Sequence, residues 1–108
     1  MQTVILVACA RAGSLRESIV KDRRLADWHL KVSQEKVKGR NPGWAKVRST
    51  HAGIPGALNI SREPVTGLLV ARAITKGGNW PSDLIGDFLS YLVERYKQRI
   101  TSVTIMPW

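Results

Sequence analysis

Apolar and polar positions repeat along this chain with two different periods. Residues 44–49 alternate with the period of two that a β-strand shows, so small and aliphatic side chains fall on one side. The other side of that strand carries Trp44, Lys46 and Arg48. Between residues 84 and 96 the apolar positions instead recur at the spacing of a helix. The sequence therefore predicts a protein built from both kinds of element.

Eight elements follow from these patterns and from the turn residues between them. We expect helices at about 15–26 and 82–99, where apolar side chains repeat at helical spacing after residues that favour a helix start. We expect strands at 3–8, 28–33, 44–49, 57–61, 68–75 and 101–106. The predicted fold class is α+β, an antiparallel or mixed sheet of about five to six strands with two helices packed on one face.

Length and composition indicate a single domain, residues 1–108. The chain has 108 residues, of which 44% are hydrophobic, enough for one modest core. Its one cysteine, Cys9, excludes an internal disulfide and is ordinary in a reducing compartment, which favours the cytoplasm. No stretch reaches the roughly 20 apolar residues of a membrane-spanning helix, so we expect no membrane association.

Positive charge dominates the chain and is concentrated in one part of it. The formal net charge is +9. No acid occurs between Glu35 and Glu63, an interval that holds six lysine and arginine residues. Such a block attracts polyanions, and phosphate backbones are the commonest of these. The charge pattern therefore predicts binding to nucleic acid, without distinguishing DNA from RNA.

The candidate nucleic-acid site combines the basic loop after the second strand with the exposed side of the third. An exposed indole can stack on an unpaired base for about 1–3 kcal/mol, and cations can neutralise phosphates. A lysine of the neighbouring strand joins them if the two strands form a hairpin. The candidate residues are Lys31, Lys36, Lys38, Arg40, Trp44, Lys46 and Arg48. We expect no cofactor and no metal.

Two other functions fit the same sequence. A protein-interaction or homodimerisation module is the first, since the helix at 82–99 is apolar over a broad arc. Tyr91 and Trp108 would contribute to its surface patch. A small ribonuclease is the second, with His29 and His51 as acid and base beside a cation. No spacing in the chain requires catalysis, so a non-catalytic protein is favoured.

Overall fold

The structure, a computed structural model, describes residues 2–10, 15–35, 44–51, 53–63, 65–75 and 81–107. Within these residues the chain forms six β-strands, two α-helices and one 3-10 helix. The strands are β1 (Gln2–Cys9), β2 (Leu30–Glu35), β3 (Trp44–Ser49), β4 (Ala57–Arg62), β5 (Leu69–Ile74) and β6 (Ile100–Pro107). The helices are α1 (Leu15–Lys21), the 3-10 helix (Arg23–Trp28) and α2 (Ser82–Tyr96).

The strands of the described chain form one six-stranded sheet in the order β2-β3-β4-β5-β1-β6. β2 to β5 are neighbours in both sequence and space, whereas β1 lies between β5 and β6. Every pair in the described sheet is antiparallel, which lets consecutive strands join without a crossover helix. The predicted α+β class is therefore confirmed, and the sheet is antiparallel, not mixed.

One face of the sheet, the buried face, supplies much of the hydrophobic core. Its side chains are almost wholly inaccessible to water and include Ile5, Val7, Val47, Leu58, Ile60, Leu69 and Ala71. Leu84 and Phe88 of α2 belong to the same hydrophobic cluster. They reach it because the apolar residues of α2 recur on one stripe of the helix. The radius of gyration is 13.0 Å, as expected for a compact chain of this length.

The first helix ends earlier than its sequence pattern suggests. The pattern predicts a helix over 15–26, whereas α1 ends at Lys21 and a 3-10 helix follows. The Asp22 side chain causes this break, because it accepts a hydrogen bond from the Arg24 N–H at 2.9 Å and caps the 3-10 helix. α2 likewise ends at Tyr96, before its predicted end. None of the described helices has the length and apolar character needed to cross a bilayer.

The second strand begins later than its alternation suggests. The pattern predicts a strand over 28–33, whereas β2 starts at Leu30. His29 adopts the left-handed conformation, with a φ of 61°, which ends the 3-10 helix and redirects the chain into the strand. Trp28 consequently lies outside the sheet. Its ring packs edge-on against Tyr91 of α2, with centroids 5.5 Å apart.

A cluster of polar side chains around Asp22 joins the 3-10 helix to α2. The Asp22 side chain is 4% exposed and accepts hydrogen bonds from the hydroxyls of Tyr91 at 2.8 Å and Tyr96 at 3.1 Å. Arg95 donates two further N–H groups at 3.0 and 3.2 Å. Burial alone would raise the pKa of Asp22, but the donors outweigh it and lower the pKa to about 2. Tyr91 is therefore a buried anchor, so its predicted place in a surface patch is wrong, and Trp108 lies outside the described residues.

Neutralising Asp22 should destabilise the protein by an amount that depends on pH. A fall of its pKa from 3.8 to about 2 corresponds to roughly 2 kcal/mol of folding free energy. Because the folded-state pKa is the lower one, this contribution is fully present well above pH 3.8 and is lost as the pH falls through 2. We expect Asp22→Asn to lower the free energy of unfolding in urea by about 2 kcal/mol at about pH 7, and by much less near pH 2.

Asp27→Asn is the matched control for this measurement. Asp27 forms an ion pair with Arg24 in which both side chains are more than half exposed, so its loss should have little effect at either pH. An equal loss for Asp22→Asn at both pH values would contradict the role assigned to the carboxylate.

Candidate functional site

Three side chains of β3 lie on the face of the sheet opposite the buried face. The residues between them, Ala45 and Val47, are fully buried. Because successive side chains of a strand point to opposite faces, Trp44, Lys46 and Arg48 point away from the core. Trp44 is 38% exposed, Arg48 is exposed and Lys46 is half-buried. β3 thus presents one aromatic ring and two cations on the same face.

The strands beside β3 bring further polar groups to that face. Lys31 of β2 lies opposite Arg48, and Asn59 of β4 lies opposite Lys46. Arg72 of β5 lies opposite Asn59. Directly opposite residues of antiparallel strands share one face of the sheet. These residues form a surface that we name the basic face: Lys31, Trp44, Lys46, Arg48, Asn59 and Arg72.

No acidic side chain of the described chain lies on the basic face. The sequence holds eight acidic residues, and the structure describes all eight. Glu35 is the one that lies in a strand, where it pairs with buried Ala45 and bonds the Arg16 guanidinium. The remaining acids lie in helices or connections: Glu17, Asp22, Asp27, Glu63, Asp83, Asp87 and Glu94. The four cations of the basic face therefore lack a carboxylate partner among the described residues.

The structure brings four of the seven predicted site residues onto the basic face. These four are Lys31, Trp44, Lys46 and Arg48. Outside the described residues lie Lys36, Lys38 and Arg40. Lys31 of β2, which the sequence predicts to join the outward side chains of β3, thus lies beside them in the sheet.

Two residues of the basic face were missed by sequence reasoning. Arg72 is flanked in β5 by buried Ala71 and Ala73, and this alternation is a signal from which an outward cation can be predicted. Asn59 is uncharged and adds nothing to the charge pattern. Only the strand register shows that its side chain lies beside Lys46.

A buried guanidinium fixes the end of the hairpin that carries Trp44. Arg16 of α1 is 3% exposed, and its Nη2 atom donates to the Trp44 carbonyl at 3.2 Å. Its Nη1 atom bonds Glu35 at the end of β2, at 3.2 Å, and also bonds Glu17. One side chain therefore ties the end of β2 to the start of β3. This holds the Trp44 backbone while leaving its indole on the basic face.

Two adjoining recesses open on the basic face. The larger has a volume of about 450 Å³ and is lined by Lys46, Arg48, residues 55–57, Asn59, Ile74 and Thr75. The smaller, of about 370 Å³, is lined by Trp44, Lys46 and Asn59. Lys46 and Asn59 line both, so a ligand can extend from the aromatic recess into the basic one.

The two histidines considered for acid–base chemistry lie side by side. His29 and His51 are exposed, with ring centroids 4.6 Å apart and planes tilted by 43°. A hydrogen bond of 2.8 Å from the Thr50 N–H to the His29 carbonyl links their segments. Rings this close contact each other, so they leave no room between them for a phosphate that one would protonate and the other deprotonate. Within the described residues, no three histidine, cysteine or acidic side chains are grouped as metal ligands.

No family model matches this chain, and comparisons with curated proteins and with solved structures find no match either. The cations can bind anions, the indole can stack on a flat ring, and the amide can exchange hydrogen bonds.

Removing one member of the like-charge pair Lys31–Arg48 should stabilise the fold at low salt. Like charges directly opposite each other on antiparallel strands repel and cost a few tenths of a kcal/mol. We expect Arg48→Gln to raise the free energy of unfolding by about 0.3 kcal/mol at low salt. The gain should vanish near 1 M salt, where the Debye length is about 3 Å. Urea titration of both proteins measures the difference.

Lys97→Gln is the control, because it removes the same charge at an exposed position after α2. A gain of equal size in this control would show that net charge, and not the cross-strand pair, is responsible. That result would contradict local repulsion on the basic face.

Proposed function

We propose that the protein binds single-stranded nucleic acid across the basic face. The observation that carries this proposal is an exposed indole among four cations, on a face without an acidic side chain in the described chain. The cations supply attraction to phosphates, and Trp44 supplies a ring on which a base can stack. Phosphates and stacked bases are common to both nucleic acids, so DNA and RNA both qualify as ligands.

The width of the basic face favours an unpaired strand over a duplex. Neighbouring strands lie about 4.8 Å apart, so β2 to β5 span about 14 Å. The major groove of B-DNA is about 12 Å wide and admits a helix or a two-stranded ribbon, which this four-stranded surface exceeds. A single nucleic-acid strand has no groove whose width limits contact with the protein, and its bases are available for stacking on Trp44. Further phosphates would be bound by Lys36, Lys38 and Arg40, which follow β2 in the sequence.

We also infer that α1 and α2 pack together on the buried face. Support comes from Leu15 and Ile19 of α1 and from Leu84 and Phe88 of α2, which share one hydrophobic cluster with the buried side chains of the sheet. An antiparallel sheet covered on one side leaves its other side available to a ligand. In this arrangement the buried face supplies stability and the basic face supplies binding.

The cytoplasm is the compartment we propose for this activity. Cys9 is a free, half-buried cysteine, and unpaired thiols are ordinary in a reducing compartment. Burial raises the pKa of its thiol, although Arg99 acts in the opposite direction. The protonated form that burial favours is the unreactive one.

A salt titration of oligonucleotide binding tests the proposal. We expect a labelled single strand of about 12 nucleotides to bind with an affinity that falls linearly with salt on logarithmic axes. Lys31→Gln, Lys46→Gln and Arg48→Gln should each weaken binding and reduce the slope by about 0.7 to 1. Trp44→Ala should weaken binding by roughly 5- to 100-fold with an unchanged slope, because stacking releases no counterions. Fluorescence anisotropy measures all of these affinities.

Lys97→Gln and Trp28→Phe are the matched controls. Lys97 is an exposed cation after α2, and Trp28 packs against Tyr91 instead of lying on the basic face. Both variants should bind as the wild type does. Absence of binding at low salt, or losses in the controls as large as those on the basic face, would refute the proposed function.

Homodimerisation through β6 is a second candidate function. β6 forms one edge of the sheet, and no described strand pairs with its outer side. Its eight residues carry no charge, whereas the opposite edge strand, β2, carries Lys31 and Glu35. Long uncharged edge strands pair readily with other strands, and Ile105 of β6 is 43% exposed. Pairing of two β6 strands would join two copies into one continuous sheet.

Sedimentation equilibrium tests this second candidate. We expect the wild type to dimerise below about 100 μM and Ile105→Lys to stay monomeric, because a lysine on an edge strand disfavours pairing. Val93→Lys is the control, since Val93 is a 54% exposed apolar residue of α2. A wild type that stays monomeric throughout this range would exclude dimerisation through β6.

A further inference from the structure

Asn59 occupies the middle of the basic face, between two cations. The strand register sets it opposite Lys46 on one side and opposite Arg72 on the other. Its side chain lines both recesses, the one beside Trp44 and the one beside Arg48. A ligand that enters either recess therefore meets the Asn59 amide.

The Asn59 amide holds an acceptor that nothing satisfies. Its Oδ1 atom is buried and has no hydrogen-bond partner in the described part of the chain. Burial of an acceptor without a donor is costly, because the atom has given up its bonds to water. Buried polar groups in native proteins nearly always have a partner. Because Oδ1 itself is buried, a ligand reaches it only if the Asn59 amide turns toward the recess that the residue lines, and the unsatisfied acceptor gains a hydrogen bond by doing so.

We propose that Asn59 accepts a hydrogen bond from the exocyclic amino group of a base bound on the basic face, a group that adenine, cytosine and guanine carry, and so favours such a base over the same ring without the amino group. This inference rests on the proposed binding of single strands. A base stacked on Trp44 would occupy the smaller recess, which Asn59 also lines. An exocyclic amino group projects from the edge of the base and can donate a hydrogen bond to Oδ1.

A single-group change in the oligonucleotide tests the proposal. The probes are octamers of adenine nucleotides and matched octamers in which purine, the same ring without the amino group, replaces every adenine. Both are prepared as RNA and as DNA, and their dissociation constants are measured by fluorescence anisotropy at one salt concentration. We expect the wild type to bind the adenine octamer about three- to tenfold more tightly, as one neutral hydrogen bond would give.

Variants at two positions on the same face of β4 complete the experiment. Asn59→Leu removes the acceptor at nearly constant volume and should bind both octamers with equal affinity. Ser61→Ala is the control on the same face of the same strand, and it should keep the adenine preference. The comparison of the two octamers with the wild type needs no variant, so the test holds even if Asn59→Leu fails to fold.

The outcomes separate this inference from the proposed function. Binding of both octamers by the wild type with equal affinity would overturn the role of Asn59 and leave single-strand binding intact. A preference that persists in Asn59→Leu would also overturn it, because another donor or acceptor would then read the base. Failure of the wild type to bind any octamer would overturn both proposals.

Discussion

The register of β3 between β2 and β4 determines which side chains of this protein meet water. Side chains alternate along a strand, so a shift by one residue would bury the outward side of β3 and expose Ala45 and Val47. Burying an unpaired lysine or arginine costs several kcal/mol, so the shifted pairing is strongly disfavoured. The bond from Arg16 to the Trp44 carbonyl reinforces the same register from α1. Both the core and the candidate site follow from this one pairing.

Charged groups serve two different purposes in the molecule. Arg16 and Asp22 are almost completely buried, and each is surrounded by several hydrogen-bonding partners. Such pairing repays the loss of hydration and fixes helical segments against their neighbours. The cations of the basic face are instead set beside one another, at a small cost in stability. The acids of the described chain lie away from this surface, so no carboxylate among the described residues offsets this cost.

Most of the fold could be predicted from the sequence, because local patterns of apolar and turn residues place the starts of α2 and of five of the six strands within one residue of their observed positions. The prediction was wrong at residues 22–29, where the chain follows contacts made far along the sequence. Asp22 ends α1 and accepts hydrogen bonds from Tyr91, Tyr96 and Arg95. No local sequence pattern predicts those partners. For the site, alternation identified the outward side of β3. It could not show Asn59 beside Lys46, since register between separate strands is a property of the assembled sheet.

The position of β1 has a consequence for how the protein is made. Val7 of β1 pairs with Leu69 of β5 on one side and with Val103 of β6 on the other. As the chain leaves the ribosome, this apolar strand has no partner until most of the remaining residues have been synthesised. Pairings between such distant segments form slowly and leave strand edges exposed to other chains. In the nascent protein both edges of β1 therefore lack a partner until β5 emerges and one edge lacks a partner until β6 emerges. The same strand becomes one of the best protected once the sheet closes.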